Sequence, residues 1–167
     1  QLLEELAKRG YNVEVTDAVS WLKNELRVHH MQLYEPVVDL FYELRNRYNS
    51  PDIVFAVLSN HTIEWLPFIF DQSADKLYAT FPRQFIYNSA EIRLAKPDIK
   101  AFEHVMSDIS SKLNTNLQQL QYLFIDDKLA NIEASRRAGM EGYVYHAGKM
   151  PVSELKNELE SFLNNRQ

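Results

Sequence analysis

The sequence predicts an α/β fold of three layers, α/β/α, in which a parallel β-sheet lies between two layers of helices. Two observations predict it. The chain contains short apolar runs rich in β-branched and aromatic residues, and amphipathic helical patterns alternate with these runs. Strands that alternate with helices form βαβ units, and such units build parallel sheets that are covered on both faces. The length of 167 residues suits one compact domain with a small appendage.

Four short apolar runs are the predicted strands. Their composition is typical of strands that are buried on both faces. They lie at residues 53–58 (IVFAVL), 85–87 (FIY), 122–125 (YLFI) and 143–145 (YVY).

Four amphipathic patterns are the predicted helices of the same region. Pro36 and Pro97 stand where first-turn prolines belong, and Gly139 is a natural C-terminal stop for the helix that follows Asp127. The predicted apolar stripes, in chain order, are Val37, Leu40, Phe41, Leu44 and Tyr48; Ile99, Phe102, Met106, Ile109 and Leu113; Ala130, Ala134 and Ala138; and Val152, Leu155, Leu159 and Phe162.

Residues 1–32 differ from the rest of the chain. They are predicted to form helical segments at residues 2–9 and 17–31, with Gly10 between them. We therefore expect a small helical subdomain at residues 1–32 and an α/β core at residues 33–167.

Composition excludes several classes of function. The net charge of −5 argues against a nucleic-acid partner, since phosphate backbones bind basic surfaces. No run approaches the ~18 apolar residues that span a membrane. Without cysteine there is no disulfide, thiol nucleophile or zinc–thiolate site, which is typical of a reducing compartment and leads us to expect a cytoplasmic protein. The sequence does not predict an oligomeric state.

Polar and charged residues follow three of the predicted strands. Ser59 and Asn60 follow the first, Lys96 comes shortly after the second, and Asp126 and Asp127 follow the third. The carboxyl ends of parallel strands meet at one rim of a sheet, where ligands bind. Hydroxyl and amide groups donate to phosphoryl oxygens, lysine offsets their charge, and carboxylates hold magnesium. The rim is therefore a candidate site for an oxyanion and a divalent metal.

Each of these signals also has an ordinary structural explanation. Ser-Asn after a strand is a common turn or helix cap, and Lys-Pro is usually a solvated pair before a helix. Two adjacent aspartates can cap a helix. It is their order and spacing together that favour a site.

At these residues the chain resembles the haloacid dehalogenase-like (HAD) hydrolase superfamily. LSNHT at 58–62 is similar to motif II, RLAKPDIKAFEHVM at 93–106 to motif III, and FIDDKLANIEASRRAGM at 124–140 to motif IV. The resemblance covers residues 33–147 and is greatest to the subgroup of small sugar-phosphate phosphatases and the phosphatase half of soluble epoxide hydrolases. It implies a Rossmann-like core, a Mg²⁺ cofactor and a small phosphorylated substrate.

The resemblance also implies roles for single residues. Ser59 would hydrogen-bond the transferring phosphoryl group and Asn60 would help to bind it. Lys96 would stabilise negative charge on the nucleophile and on the phosphoryl oxygens. These are the expected catalytic and phosphate-binding residues.

The remaining roles concern the metal. Asp127 would be the principal magnesium ligand. Asp126 would ligate the metal directly or through water, or would orient Lys96. Asn131 would not ligate the metal itself but would fix the two aspartates in position.

The motif that carries the nucleophile is missing. In this family an Asp-x-Asp ends a first strand that lies between the strands of motifs II and IV, and its first aspartate attacks phosphorus. The only candidate, residues 11–15, is followed by Thr16 and Asp17 but has Val19 where the second aspartate belongs. We expect residues 1–32 to be the tail of a helical cap and the first strand to lie upstream of Gln1.

Two hypotheses follow for the function. The first is a magnesium-dependent phosphatase whose nucleophile lies upstream; the second is a non-catalytic HAD-like module for binding or assembly. Dehalogenation is less favoured, because that chemistry usually dispenses with the metal. The missing strand would expose two buried sheet edges, so a partner's strand or direct pairing of the flanking strands are alternative ways to fill the gap. This chain alone is expected to be inactive.

Overall fold

The computed structural model describes residues 8–10, 17, 20, 21, 25 and 32–165. The chain divides into two compact units, Gln1–Leu33 and Tyr34–Gln167. The predicted helices at 2–9 and 17–31 lie largely outside the described residues, and the candidate strand at 11–15 lies wholly outside them. The cap at residues 1–32 therefore stays a prediction.

The second unit contains four parallel strands. β1 (Val57–Ser59) pairs with β2 (Ile86–Asn88), and β3 (Leu123–Asp126) pairs with β4 (Glu141–Val144). Each corresponds to one of the predicted apolar runs. The prediction of an α/β fold with parallel strands is confirmed.

The first strand is shorter than predicted. Residues 53–56 precede the ladder, whose first partners are Val57 and Ile86. The residues directly before Ile86 form a 3-10 helix, Arg83–Phe85. Because they are not extended, they cannot pair with residues 53–56. An apolar run indicates that its residues are buried, whereas a β-strand also requires a neighbouring strand with which to pair.

The four strands form two separate sheets. Within the described part of the chain no ladder joins β1 to β3, so each has one edge without a strand partner. Residues 53–58 and 121–125 instead line a common cavity of about 310 Å³. We call these two segments, with the cavity between them, the strand slot. It separates the strands of motifs II and IV, and the two flanking strands do not pair directly.

Seven α-helices lie between and around the described strands. None of them is both long and apolar enough to cross a bilayer. Their bounds are α1 Glu35–Arg47, α2 Trp65–Phe70, α3 Ala74–Thr80, α4 Ser89–Ile92, α5 Ile99–Lys112, α6 Leu129–Arg137 and α7 Val152–Asn164. The four predicted helices are α1, α5, α6 and α7.

Two of the predicted helix details are corrected. α5 starts after Asp98, whose side chain accepts a hydrogen bond from the Lys100 N–H at 3.0 Å, so Asp98 rather than Pro97 begins the helix. In α6, Ala130 is exposed, and the buried face carries Asn131 and Ile132 instead. The buried face of α6 is therefore rotated relative to the predicted alanine stripe, and this rotation points Asn131 at the end of β3.

Helices cover β3 on both faces. Leu123 and Ile125 pack against buried leucines of α1 and α7, while Phe124 packs against α5 and α6. This alternation follows from the two-residue period of a strand. The helix residues concerned are Leu40, Leu44, Leu155 and Leu159 on one face and Phe102, Met106 and Ala134 on the other.

Candidate functional site

The candidate site lies where β1 and β3 end. Ser59 is the last residue of β1, and Asp126 is the last residue of β3. Lys96 lies in the loop between α4 and α5. The fold brings its ammonium to Asp126 and its backbone to Asn60, the residue after β1.

Lys96 and Asp126 form a largely buried ion pair. Lys96 Nζ lies 2.7 Å from Asp126 Oδ2, and the two side chains are only 11% and 7% exposed. The ammonium also lies 5.2 Å from the centre of the Phe124 ring, within range of a cation–π contact. The lysine ammonium is thus held by contacts with Phe124 and Asp126, two residues whose side chains share one face of β3.

Asp126 accepts further hydrogen bonds through its other oxygen. Oδ1 accepts from the Lys128 backbone N–H at 2.9 Å and from Asn131 Nδ2 at 2.8 Å. Burial would raise the pKa of Asp126, but the hydrogen bonds from Lys96, Lys128 and Asn131 and the charge of Lys96 outweigh it and hold that pKa below its ordinary value. Asp126 is therefore an ionised carboxylate with both oxygens occupied.

Asn131 reaches Asp126 from the first turns of α6. Its side chain is buried, with 5% of the residue exposed, and its amide Nδ2 donates to Asp126 Oδ1. No hydrogen bond joins it to Asp127 in the described part of the chain. A buried amide that fixes an ionised carboxylate sets the position in which that carboxylate meets Lys96.

Asp127 has the opposite environment. It is exposed, and no residue among those described gives its carboxylate a hydrogen bond or an ion pair. Magnesium usually needs several oxygen ligands. Within residues 32–165 and the few described before them, no group of three or more metal-binding side chains is present. These residues supply one uncommitted carboxylate and do not complete a magnesium site by themselves.

Asn60 contacts Lys96 rather than open space. Its Nδ2 donates to the Lys96 carbonyl at 2.8 Å, and its Oδ1 accepts from the Lys96 N–H at 2.9 Å. These bonds tie the segment after β1 to the loop that carries the lysine. The predicted motifs II, III and IV are thus connected from Asn60 through Lys96 to Asp126.

Ser59 stands beside Asn60 with its hydroxyl uncommitted to any described residue. Its neighbour across the ladder is Asn88, which is 2% exposed. Asn88 donates to the Thr62 carbonyl at 2.8 Å and accepts from the Ala90 N–H at 3.1 Å. Next to it, Ser89 Oγ accepts from the His61 N–H at 3.1 Å.

Asn88 and Ser89 were missed from the sequence. They do not belong to the polar set singled out after the strands, yet both hold the chain that leaves β1 next to the end of β2. The available signal was positional, because Asn88 follows the FIY run as directly as Ser59 follows its own.

Comparisons with known proteins were made for sequence and for fold. No family model matches the sequence. The chain is 31% identical over 72 residues to drimenol cyclase drtB from Aspergillus calidoustus. That match covers 43% of this chain and 12% of the cyclase, so the chain spans only a small part of that relative.

A solved structure matches the fold. It is that of a HAD family enzyme from Bacteroides thetaiotaomicron, an aspartate-to-alanine variant in complex with magnesium and inorganic phosphate. The TM-score is 0.53 at 22% sequence identity, and the match covers 70% of this chain and 54% of that enzyme. The resemblance inferred from the motifs is thus matched by an independent likeness in three dimensions. This chain has the fold of a HAD family enzyme.

Proposed function

We propose that the protein is a magnesium-dependent phosphatase of a small phosphorylated metabolite. The single observation that carries the proposal is the buried Lys96–Asp126 pair at the carboxyl ends of the strands. An ammonium fixed by an ionised carboxylate is suited to stabilising an oxyanion, because its position does not have to be reorganised during the reaction. The uncommitted Ser59 hydroxyl and Asp127 carboxylate lie on the same rim.

The strand slot supports the position of the nucleophile. A strand that paired in parallel with both β1 and β3 would end at the rim where Ser59 and Asp126 end. We propose that this strand lies upstream of Gln1 and carries the nucleophilic aspartate at its carboxyl end.

The reaction proceeds in two steps under this proposal. The aspartate oxygen forms a bond to phosphorus while the bond from phosphorus to the substrate oxygen breaks, giving an aspartyl-phosphate. The substrate oxygen leaves as an alcohol with a proton from the second aspartate of the proposed Asp-x-Asp. Water gives a proton back to that aspartate as it attacks the phosphorus, and the bond from phosphorus to the first aspartate breaks, which releases inorganic phosphate and regenerates the carboxylate. Lys96 offsets the charge on the phosphoryl oxygens in both steps, and the Ser59 hydroxyl donates to one of them.

Magnesium is proposed to bind at Asp127. When bound, it would offset phosphoryl charge and orient the oxygens of the substrate. Asp127 is the one described carboxylate on the rim with no partner, and further ligands would come from the strand in the slot. Asp126 is proposed to orient Lys96, since its own oxygens are occupied by three donors.

The test uses the protein extended upstream through the proposed first strand, which we call the extended protein. It is expected to release phosphate from an aryl phosphate and to lose this activity in chelator. Lys96→Ala and Asp127→Ala should lower the rate by at least about 100-fold, in line with the loss of an electrostatic contact to the transition state. Lys100→Ala, at an exposed lysine on α5, is the matched control and should keep the wild-type rate. Equal rates in all three variants would refute the assignment.

A non-catalytic module for binding or assembly is the second candidate. It is favoured by one observation, that the described residues contain no complete metal site. This candidate predicts that the extended protein is folded, binds magnesium no more tightly than its Asp127→Ala variant, and releases no phosphate. Metal-dependent turnover by the extended protein would exclude it.

A further inference from the structure

We propose that Asn60 acts by positioning Lys96 rather than by binding the phosphoryl group. The observation is a pair of hydrogen bonds between one side chain and the backbone of one residue. Asn60 Nδ2 donates to the Lys96 carbonyl at 2.8 Å, and Asn60 Oδ1 accepts from the Lys96 N–H at 2.9 Å. We call this pair of bonds the Asn60 clamp.

The clamp occupies both functional groups of the amide. Its oxygen accepts from the Lys96 N–H, and one of the two Nδ2 hydrogens is donated to the carbonyl of the same residue. The amide group could not rotate without breaking both bonds. Asn60 is an exposed residue, so burial does not force this geometry on it. The complementary pairing itself holds the amide.

Lys96 has few other backbone anchors. It lies in the loop between Arg93, the C-cap of α4 with a positive φ of 57°, and Asp98, the N-cap of α5. The nearest described backbone bond in that loop joins the Asp98 N–H to the Ala95 carbonyl at 2.9 Å. A lysine has a long and flexible side chain, so the position of its ammonium depends on where its backbone is held.

The clamp therefore connects the end of β1 to the charge at the rim. Ser59 and Asn60 are consecutive, and the lysine fixed by Asn60 reaches Asp126 Oδ2 at 2.7 Å. If the rim acts on phosphate, the clamp sets the distance between the Ser59 hydroxyl and the Lys96 ammonium. That consequence rests on the proposed function, whereas the clamp itself does not.

The first experiment measures the clamp in this chain by amide hydrogen exchange. In Asn60→Ala the Lys96 backbone N–H should exchange about fivefold faster than in the wild type, as expected for the loss of a hydrogen bond worth roughly 1 kcal/mol. The matched control is Asn116→Ala, which removes an asparagine that accepts from the Gln118 N–H elsewhere in the chain. That control should leave exchange at Lys96 unchanged. Unchanged exchange in Asn60→Ala would overturn the proposal.

The second experiment separates positioning from phosphate binding in the extended protein. A positioning role predicts that Asn60→Ala lowers kcat about tenfold and leaves KM within about twofold, because an interaction felt only in the transition state is weakened. A direct phosphate contact predicts a raised KM, and that result would overturn the proposal. If the extended protein shows no turnover, the proposed function fails, while hydrogen exchange at Lys96 still decides whether the clamp exists.

Discussion

At the scale of the residue, two adjacent aspartates have opposite roles. Asp126 is buried and accepts three hydrogen bonds, and Asp127 is exposed with no partner among the described residues. Sequence alone treats them as a matched pair of carboxylates. The difference arises because Asp126 is the last residue of β3, beside Lys96 and Asn131, whereas Asp127 lies in the bend that follows the strand.

This difference predicts that the same substitution has a large effect on stability at Asp126 and a small one at Asp127. Asp126→Asn places an NH₂ group against donors and should lower the free energy of unfolding by about 2 kcal/mol. Asp127→Asn should change it by less than about 0.5 kcal/mol, since it breaks no contact. Urea denaturation of both variants measures the two values. Equal losses of stability would contradict the environments described for the two carboxylates.

The candidate site could be predicted residue by residue only in part. Ser59, Lys96 and Asp126 could be placed together because each follows a strand, and strand ends meet at one rim. The partner of Asn60 could not be predicted, because it depends on the path of the loop before α5. Asn88 and Ser89 were missed because their side chains hydrogen-bond backbone groups and do not belong to the polar set that was singled out as a candidate site.

At the scale of the element, the packing of α6 on β4 depends on one glycine. A Cβ at Gly142 would lie 2.8 Å from Cγ2 of Ile132, a fully buried side chain, and 3.2 Å from Ser135 Oγ. Since those atoms belong to the tightly packed face of α6, the helix would have to move away from the strand.

Gly142→Ala is therefore expected to destabilise the protein by about 1–3 kcal/mol, the usual result of overpacking. A shift of the thermal or urea midpoint measures this. The matched control is Glu133→Ala on the exposed face of the same helix, which should have little effect. A Gly142→Ala variant as stable as that control would show that α6 and β4 are not in close contact.

A second element contact predicts a dependence on pH. Asp108 of α5 accepts hydrogen bonds from Tyr87 of β2 at 2.7 Å and from Lys112. Burial would raise the pKa of Asp108, but these hydrogen bonds and the nearby charge of Lys112 outweigh it and lower that pKa below its ordinary value of 3.8.

Because the folded-state pKa is the lower one, the stability that Asp108 contributes is present above the unfolded-state pKa and is lost as pH falls through the folded-state pKa. The difference in unfolding free energy between wild type and Asp108→Asn should therefore be largest near neutral pH and shrink below pH 3.8. Urea denaturation across this range measures it, with Glu133→Gln as an exposed control. A difference that grows on acidification would show that the sign is wrong.

The elements themselves could be predicted well and their limits less well. Apolar periodicity located α1, α5, α6 and α7, because each buries one face. The short helices α2, α3 and α4 have too few residues for a periodic signal. The limits of β1 depended on the length of β2, which is a property of the partner and not of residues 53–58.

At the scale of the whole molecule, the strand slot is the feature that the fold leaves incomplete. Residues 53–58 and 122–125 form apolar runs, yet β1 and β3 each have an edge without a strand partner in the described part of the chain. Unpaired edges of this kind are the places where a further strand adds.

The slot predicts a difference between this chain and the extended protein. Backbone N–H groups of residues 53–58 and 121–125 that face the slot should exchange with solvent faster in the chain alone. In the extended protein a strand that pairs with both edges should slow their exchange by about 100-fold or more. Exchange at β2 and β4, on the outer sides, should change much less. Identical exchange in the two proteins would mean that the added strand lies elsewhere.

The overall fold could be predicted because strands and helices alternate and because the motifs occur in a recognisable order. The missing Asp-x-Asp predicted that a central strand lies elsewhere, and among the described residues no strand pairs with the edges of β1 and β3 that line the slot. The location of that strand stays a prediction. The substrate could not be predicted, since the resemblance implies that a cap selects it, and the proposed cap lies largely outside the described residues.

The most direct measurement of the account is the rate of phosphate release from an aryl phosphate by this chain and by the extended protein, side by side with magnesium. We expect no release by this chain alone and chelator-sensitive release by the extended protein, because the proposed nucleophile lies on the strand upstream of Gln1. Release by the chain alone at the rate of the extended protein would place the nucleophile within residues 1–167 and contradict the account.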